Sequence, residues 1–218
     1  MDLTVITNNF KFMAGGLVLT FQLSLITMAG GLLLGIILAL ARLSSKHWLY
    51  YPATFYIHFF RGLPLILVIF WLYFLTPVIT GKSLNEFHAA VISFVVFEAA
   101  YFAEIIRAGI QSIPHGQSMA AYSSGLTSFQ CARHVILPQA LRNMTPALVT
   151  QAVVIFQDTS LGYVIGLREF LRRVNLVDAR EARSVELYLF AGLIYLAFCS
   201  TGSLCSQRLE NHRQRNWI

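Results

Sequence analysis

A chain of 218 residues with 56% hydrophobic and only 12% charged residues, and a mean hydropathy of +0.63, is too apolar for a water-soluble domain of this length. Its place is a bilayer, where a formal charge of +6 reads as lysines and arginines on cytoplasmic loops; a nucleic-acid partner is excluded as its cause. Cys131, Cys199 and Cys205 form no CxxC pair and have no histidines clustered with them, so they are packing residues, with no disulfide framework and no metal site expected.

Crossing the hydrocarbon takes roughly 20 apolar residues. The ranges 12–41, 54–79, 87–110, 139–167 and 185–206 meet that length, which predicts an all-α integral membrane protein with about five transmembrane helices, a single domain over 1–218. The first run is longer than a signal peptide's apolar core and has neither a basic flank nor a cleavage site, so it reads as a retained anchor. Within it, Gly31-x-x-x-Gly35 permits close approach of another helix. Arg42 and Lys46 follow this span, Arg107, Arg133 and Arg142 surround the connection 112–138, and Arg208, Arg213 and Arg215 end the chain. All of them fall on one side of a five-span chain. That side is the cytoplasm, so the N-terminus is outside and the C-terminus inside. Arg168, Arg172, Arg173, Arg180 and Arg183 face outward in this scheme, against the positive-inside tendency.

The second span carries Arg61, then Gly62 and Pro64, residues that bend a helix; the guanidinium there snorkels, or reaches a cytoplasmic partner or a phosphate-level anchor. The third carries Glu98 near its middle, where a carboxylate costs about 3 kcal/mol. Glu98 therefore needs either an interhelical hydrogen-bond partner or a place on a transport path. Glu104 and Arg107, three apart, share a helix face and pair with each other. In the fourth span the apolar run ends in Gln157, Asp158, Thr159 and Ser160 before resuming at Leu161. Such a polar break lines a watery cavity, or caps a shorter helix with Thr159 or Ser160 as N-cap of the next.

The connection 112–138 is too polar to span. It reads as two short helices, 117–124 and 128–135, turning at Gly125, with Leu126, Phe129 and Ile136 as apolar anchors and Ala120, Ala121, Ser123 and Ser124 small enough for close docking. Pro138 then suits the first turn of the fourth span. Resting on lipid headgroups remains the alternative to docking on a protein.

The pattern Ala120-Ala121-x-x-x-Gly125, nine residues, then Val135-x-Leu137-Pro138 resembles the EAA loop of the permease subunits of bacterial ABC importers. Phe60-Arg61-Gly62-x-Pro64-Leu65, Ala103-Glu104-Ile105-x-Arg107, Gly109-Ile110-x-Ser112-Ile113-Pro114-x-Gly116-Gln117 and Asp158-Thr159-Ser160-Leu161 are similar to the polar amino acid branch of that family. Phe97-Glu98-Ala99-Ala100-Tyr101 and Phe156-Gln157-Asp158 bring it nearest to the glutamate/aspartate members.

The resemblance implies a type I importer permease at the bacterial inner membrane. Its loop, through Gly116, Ala120, Ala121, Gly125, Leu126, Phe129, Leu137 and Pro138, would form a coupling helix seated on an ABC ATPase dimer. A periplasmic amino-acid-binding protein would deliver substrate, and a second permease subunit, related or identical, would complete the path through the lipid. Glu98, Gln157, Asp158, Thr159 and Ser160 are the path candidates, with Arg61, Glu104 and Arg107 as structural or gating residues. The chain contains no G-x-x-x-x-G-K-[ST] loop, so it is not expected to be an enzyme; no cofactor is expected in it, and ATP and Mg would sit in the partner ATPase. Met119 stands where the family motif has Glu, which favours a heterodimer whose partner keeps the acid. Basic amino acids, glutamine and cystine are the competing substrates. An embedded enzyme is disfavoured by the lack of HExxH and GxSxG, and a passive channel or a regulatory membrane anchor has no use for an ATPase-docking loop.

Overall fold

In the computed structural model, residues 3–215 are described, the side chains as far as 208. The side chains of Arg213 and Arg215 lie outside the described residues. Helix α1 runs Thr4–Leu43 and starts earlier than the expected 12–41. At about 1.5 Å per residue it is about 60 Å long, twice the hydrocarbon thickness. Its polar first turns stay helical because a later helix, α8 (Phe170–Glu181), grips them: Arg180 donates to Asn9 at 2.9 Å and Arg173 to the Phe12 carbonyl at 2.8 Å.

The range 54–79 is not one rod. Helices α2 (His47–Arg61) and α3 (Leu65–Thr80) meet at 104°. Pro64 lacks an N–H and pushes Leu63 out of helical conformation, so the ladder cannot continue through Gly62-Leu63-Pro64. Helix α4 (Glu86–Gln111) begins at Asn85, whose side chain accepts from the His88 N–H, and crosses as the centre of the bundle. Its packing against α1 depends on two glycines. A Cβ at Gly35 would come within 2.6 Å of the Phe102 Cβ, and one at Gly31 within 3.2 Å of the Glu98 Cβ. The small-residue spacing read in the first span thus serves the α1–α4 contact.

Helix α5 (His115–Ser123) is followed by a turn and by α6 (Ser128–Cys131). The second short helix is not separate, contrary to expectation: α6 passes through a π-helical turn, Ala132–Ile136, straight into α7 (Leu137–Asp158). Pro138 would clash with the carbonyl of His134 and leave it without a donor, and the widened turn accommodates both. Beyond α7 the chain does not break but tightens into a 3₁₀ helix, Thr159–Ile165, before α8 and α9 (Ser184–Arg215).

Three apolar clusters hold the bundle together. One joins α1, α3 and α4 through Leu23, Val68, Ile69, Phe94 and Phe97. A second packs Met13 of α1 with Phe170, Val174 and Val177 of α8 and Leu187 of α9. The third gathers Ala39, Ile57, Ala103, Ile106 and Met144 near the ends of α1, α2, α4 and α7. Helices of spanning length, counting the bent α2–α3 pair as one, number up to five among the described residues.

Candidate functional site

The first group of interest is the helix–turn–helix after α4. Gly125 takes φ +82°, and its N–H bonds the Tyr122 carbonyl at 3.0 Å while the Leu126 N–H bonds that of Ala121 at 3.2 Å. This closes α5 by turning the chain left-handed, a conformation glycine adopts without strain. Thr127 and Gln130 then start α6 with a reciprocal capping box. Ala121 and Cys131 are buried, and Leu126 is half-buried. Gly116, Ala120, Leu137, Pro138 and Phe129, the last 72% exposed, look outward. Met119, which stands at the motif's acidic position, and Tyr122 also present large exposed side chains, a pair at helical spacing. The loop is tied to the bundle by Asn143, which donates to Ser112 at 2.7 Å.

The second group lies between α4 and α7. Glu98 is fully buried; its Oε2 accepts from Gln151 Nε2 at 2.7 Å, and its Oε1 has no donor among the described residues. Gln151 was not anticipated, although it sits seven residues before Asp158, two turns along the same face of α7. Tyr101, one turn from Glu98 on α4, lies within electrostatic reach of Glu98, Asp158 and Arg61. The Arg61 guanidinium stands 5.6 Å from the Tyr101 ring centroid. Two acids, an amide, a phenol and one guanidinium therefore share a single region of the bundle.

The run 157–160 is split by the helix. Asp158 belongs with Glu98 and Tyr101, while Gln157 and Ser160 line a cavity of about 330 Å³ facing Leu171, Tyr188 and Tyr195. Thr159 is buried with its hydroxyl donating to the Phe156 carbonyl at 2.7 Å. Neither Thr159 nor Ser160 caps the next helix, since the 3₁₀ segment continues α7. The cap of α8 is Glu169, fully buried and accepting from the Leu171 and Arg172 N–H groups at 2.8 and 2.6 Å. Burial pushes this carboxyl up to about 7, against the pull of those two donors.

A third group sits toward the C-terminal ends of α1, α2 and α4. The expected Glu104–Arg107 pair forms, with Arg107 Nη2 at 2.8 Å from Oε2, but Arg42 also contacts Oε1 and Arg61 Nη1 approaches Oε2 at 3.7 Å. Arg107 donates in addition to Gln111.

The family model described as "Binding-protein-dependent transport system inner membrane component" matches residues 31–215. The chain is 40% identical over 216 residues to the glutamate/aspartate import permease protein GltK of Escherichia coli O6:H1, with 96% of each chain covered. It is 34% identical over 216 residues to the arginine transport system permease protein ArtQ of Bacillus subtilis strain 168, with 99% of each covered. The crystal structure of an amino acid ABC transporter with histidines superposes with a TM-score of 0.91 at 31% identity, over 97% of this chain and 99% of the other.

Proposed function

The chain belongs to the inner membrane components of binding-protein-dependent transport systems, and we propose that it is the permease subunit through which glutamate and aspartate enter the cell. As an amino-acid ABC importer permease it is a multi-pass inner-membrane protein, working with a separate ATPase and a substrate-binding protein. The observation that carries the mechanism is mechanical continuity. From Ser128 to Asp158 the exposed loop and the polar region are joined by one helical run of α6, the π turn and α7. A push on Phe129 at one end is delivered to Gln151 and Asp158 at the other without a hinge loop between them.

In this reading the N-terminus faces the periplasm and the loop and C-terminus face the cytoplasm. Helix α5, the Gly125 turn and α6 seat on the ATPase, which holds ATP and Mg; closure of the ATPase dimer moves α7 against α4. Glu98, Tyr101 and Asp158 then change their exposure to the two sides. One subunit encloses only half of a path, and a second permease supplies the rest. Met119, lacking the acid of the family motif, supports a related partner that retains it.

The 40% identity to a glutamate/aspartate permease supports acidic substrates. Import of basic amino acids is a second reading, supported by the two carboxylates of Glu98 and Asp158 beside a single guanidinium and by the 34% identity to an arginine permease. Uptake of labelled glutamate into proteoliposomes carrying the complete importer tests the choice. Competition by aspartate and not by arginine is expected; the reverse pattern establishes the second reading.

A further inference from the structure

The cluster toward the C-terminal ends of α1, α2 and α4 is out of electrical balance. Among the described residues, the ion pairs of Arg42, Arg61 and Arg107 all converge on one carboxylate, Glu104, and neither Glu98 nor Asp158 forms an ion pair with Arg61, so two positive charges are left over within the ion-paired cluster itself. A guanidinium presents five N–H donors and a carboxylate about four acceptor positions, so most donors of the three arginines are not used by Glu104. The side chain of Arg61 is 41% exposed and that of Arg107 27%, which leaves the surplus reachable from outside.

Helix α2 locates this surplus relative to the lipid. Trp48, Tyr51, Phe55 and Phe59 are all exposed and recur at helical spacing on one face, with Lys46 before the helix and Arg61 at its end. The opposite face is buried through Ala53 and Ile57. Helix α2 meets α3 at 104°, so the two do not form one straight span. A short helix of this kind, aromatic outside and basic at both ends, belongs at the headgroup level of a leaflet. With the orientation proposed above, on which this step rests, that leaflet is the cytoplasmic one, where anionic lipids attract basic residues.

We propose that Arg61 and Arg107, with Arg42 behind them, bind a phosphate-type oxyanion, supplied by the headgroup of an anionic phospholipid whose glycerol and upper chains lie on the aromatic face of α2. The phosphate oxygens fill the donors that Glu104 leaves open and neutralise the excess charge. Glu104 competes with the lipid for the same guanidiniums and holds the three arginines together when no lipid is bound.

The test uses the assembled importer in nanodiscs of equal phosphatidylglycerol and phosphatidylcholine, mildly delipidated, with the retained lipids counted by mass spectrometry. Phosphatidylglycerol should be retained over phosphatidylcholine. Arg61→Gln should lower that ratio about fivefold, the contribution of one basic residue near an anionic surface. Arg61→Lys should restore most of it, and Glu104→Gln should raise it. A ratio of one in the unsubstituted protein, or no change in Arg61→Gln, overturns the proposal. Should inorganic phosphate raise the melting midpoint of lipid-poor importer but not of Arg61→Gln while the lipid ratio stays at one, the oxyanion site stands and the lipid source is refuted. Lipid retention is read without transport, so a failure of uptake leaves this result interpretable.

Discussion

Replacing Gly125 is the sharpest probe of the docking loop, because the structure isolates the cause. A Cβ built at Gly125 meets nothing within 4 Å, so no clash with a neighbour contributes. What remains is the backbone at φ +82°. An L-residue there costs about 1 kcal/mol for alanine and, for a β-branched valine, about 2 kcal/mol or more. Asparagine tolerates the left-handed region far better. If the strained turn relaxes in the free permease and is re-imposed on docking, these costs weaken ATPase binding about fivefold for Gly125→Ala and about thirtyfold for Gly125→Val. Gly125→Asn should stay close to the parent. The assay is titration of detergent-purified permease with the ATPase subunit, alongside a thermal melt to show that the bundle is intact. Equal affinities across the series would refute the view that this turn must hold its shape to dock.

Other expectations concern the interior and the proposed orientation. Asp158→Ala should reduce uptake at least tenfold with complex assembly unchanged, whereas unaltered uptake would leave Asp158 a structural residue at the end of α7. Gln151→Leu strips buried Glu98 of its only protein donor among the described residues and should destabilise the permease by about 1–3 kcal/mol, seen as a lowered melting midpoint. The carboxyl of Glu169 is raised from its ordinary 4.5 to about 7, so its stabilisation is complete below pH 4.5 and is lost as pH rises through 7. The melting midpoint should therefore fall across that interval, and Glu169→Gln should flatten the fall. Arg168 is exposed, and Arg168→Cys, after removal of Cys131, Cys199 and Cys205, should react with an impermeant thiol reagent added outside intact spheroplasts. Labelling only after rupture would reverse the proposed orientation.

Local patterns in the chain were sufficient for much of this molecule. Apolar runs longer than a bilayer's hydrocarbon identify the spanning helices, Gly125 marks the turn of the loop, and Glu104 with Arg107 at a three-residue spacing makes an ion pair in any helix. Gly62 and Pro64 likewise announce a bend, although its 104° angle comes from how α2 and α3 pack on α4. Each of these features depends on residues within a turn or two of one another, where periodicity and backbone sterics decide.

Other features arise only when helices distant in sequence are brought side by side. Gln151 meets Glu98 across 53 positions, Arg42 reaches Glu104 because close contact at Gly31 and Gly35 sets how α1 lies on α4, and Arg61 approaches the same carboxylate from α2. Gln157 and Asp158 are adjacent in the chain yet serve different sides of α7, since successive residues of an α-helix point about 100° apart. The cap of α8 followed the same logic: Glu169, hidden among arginines in the sequence, is buried because α8 docks on α1. Which polar residues share a space is set by the rotation of each helix about its axis, and that rotation is decided by packing.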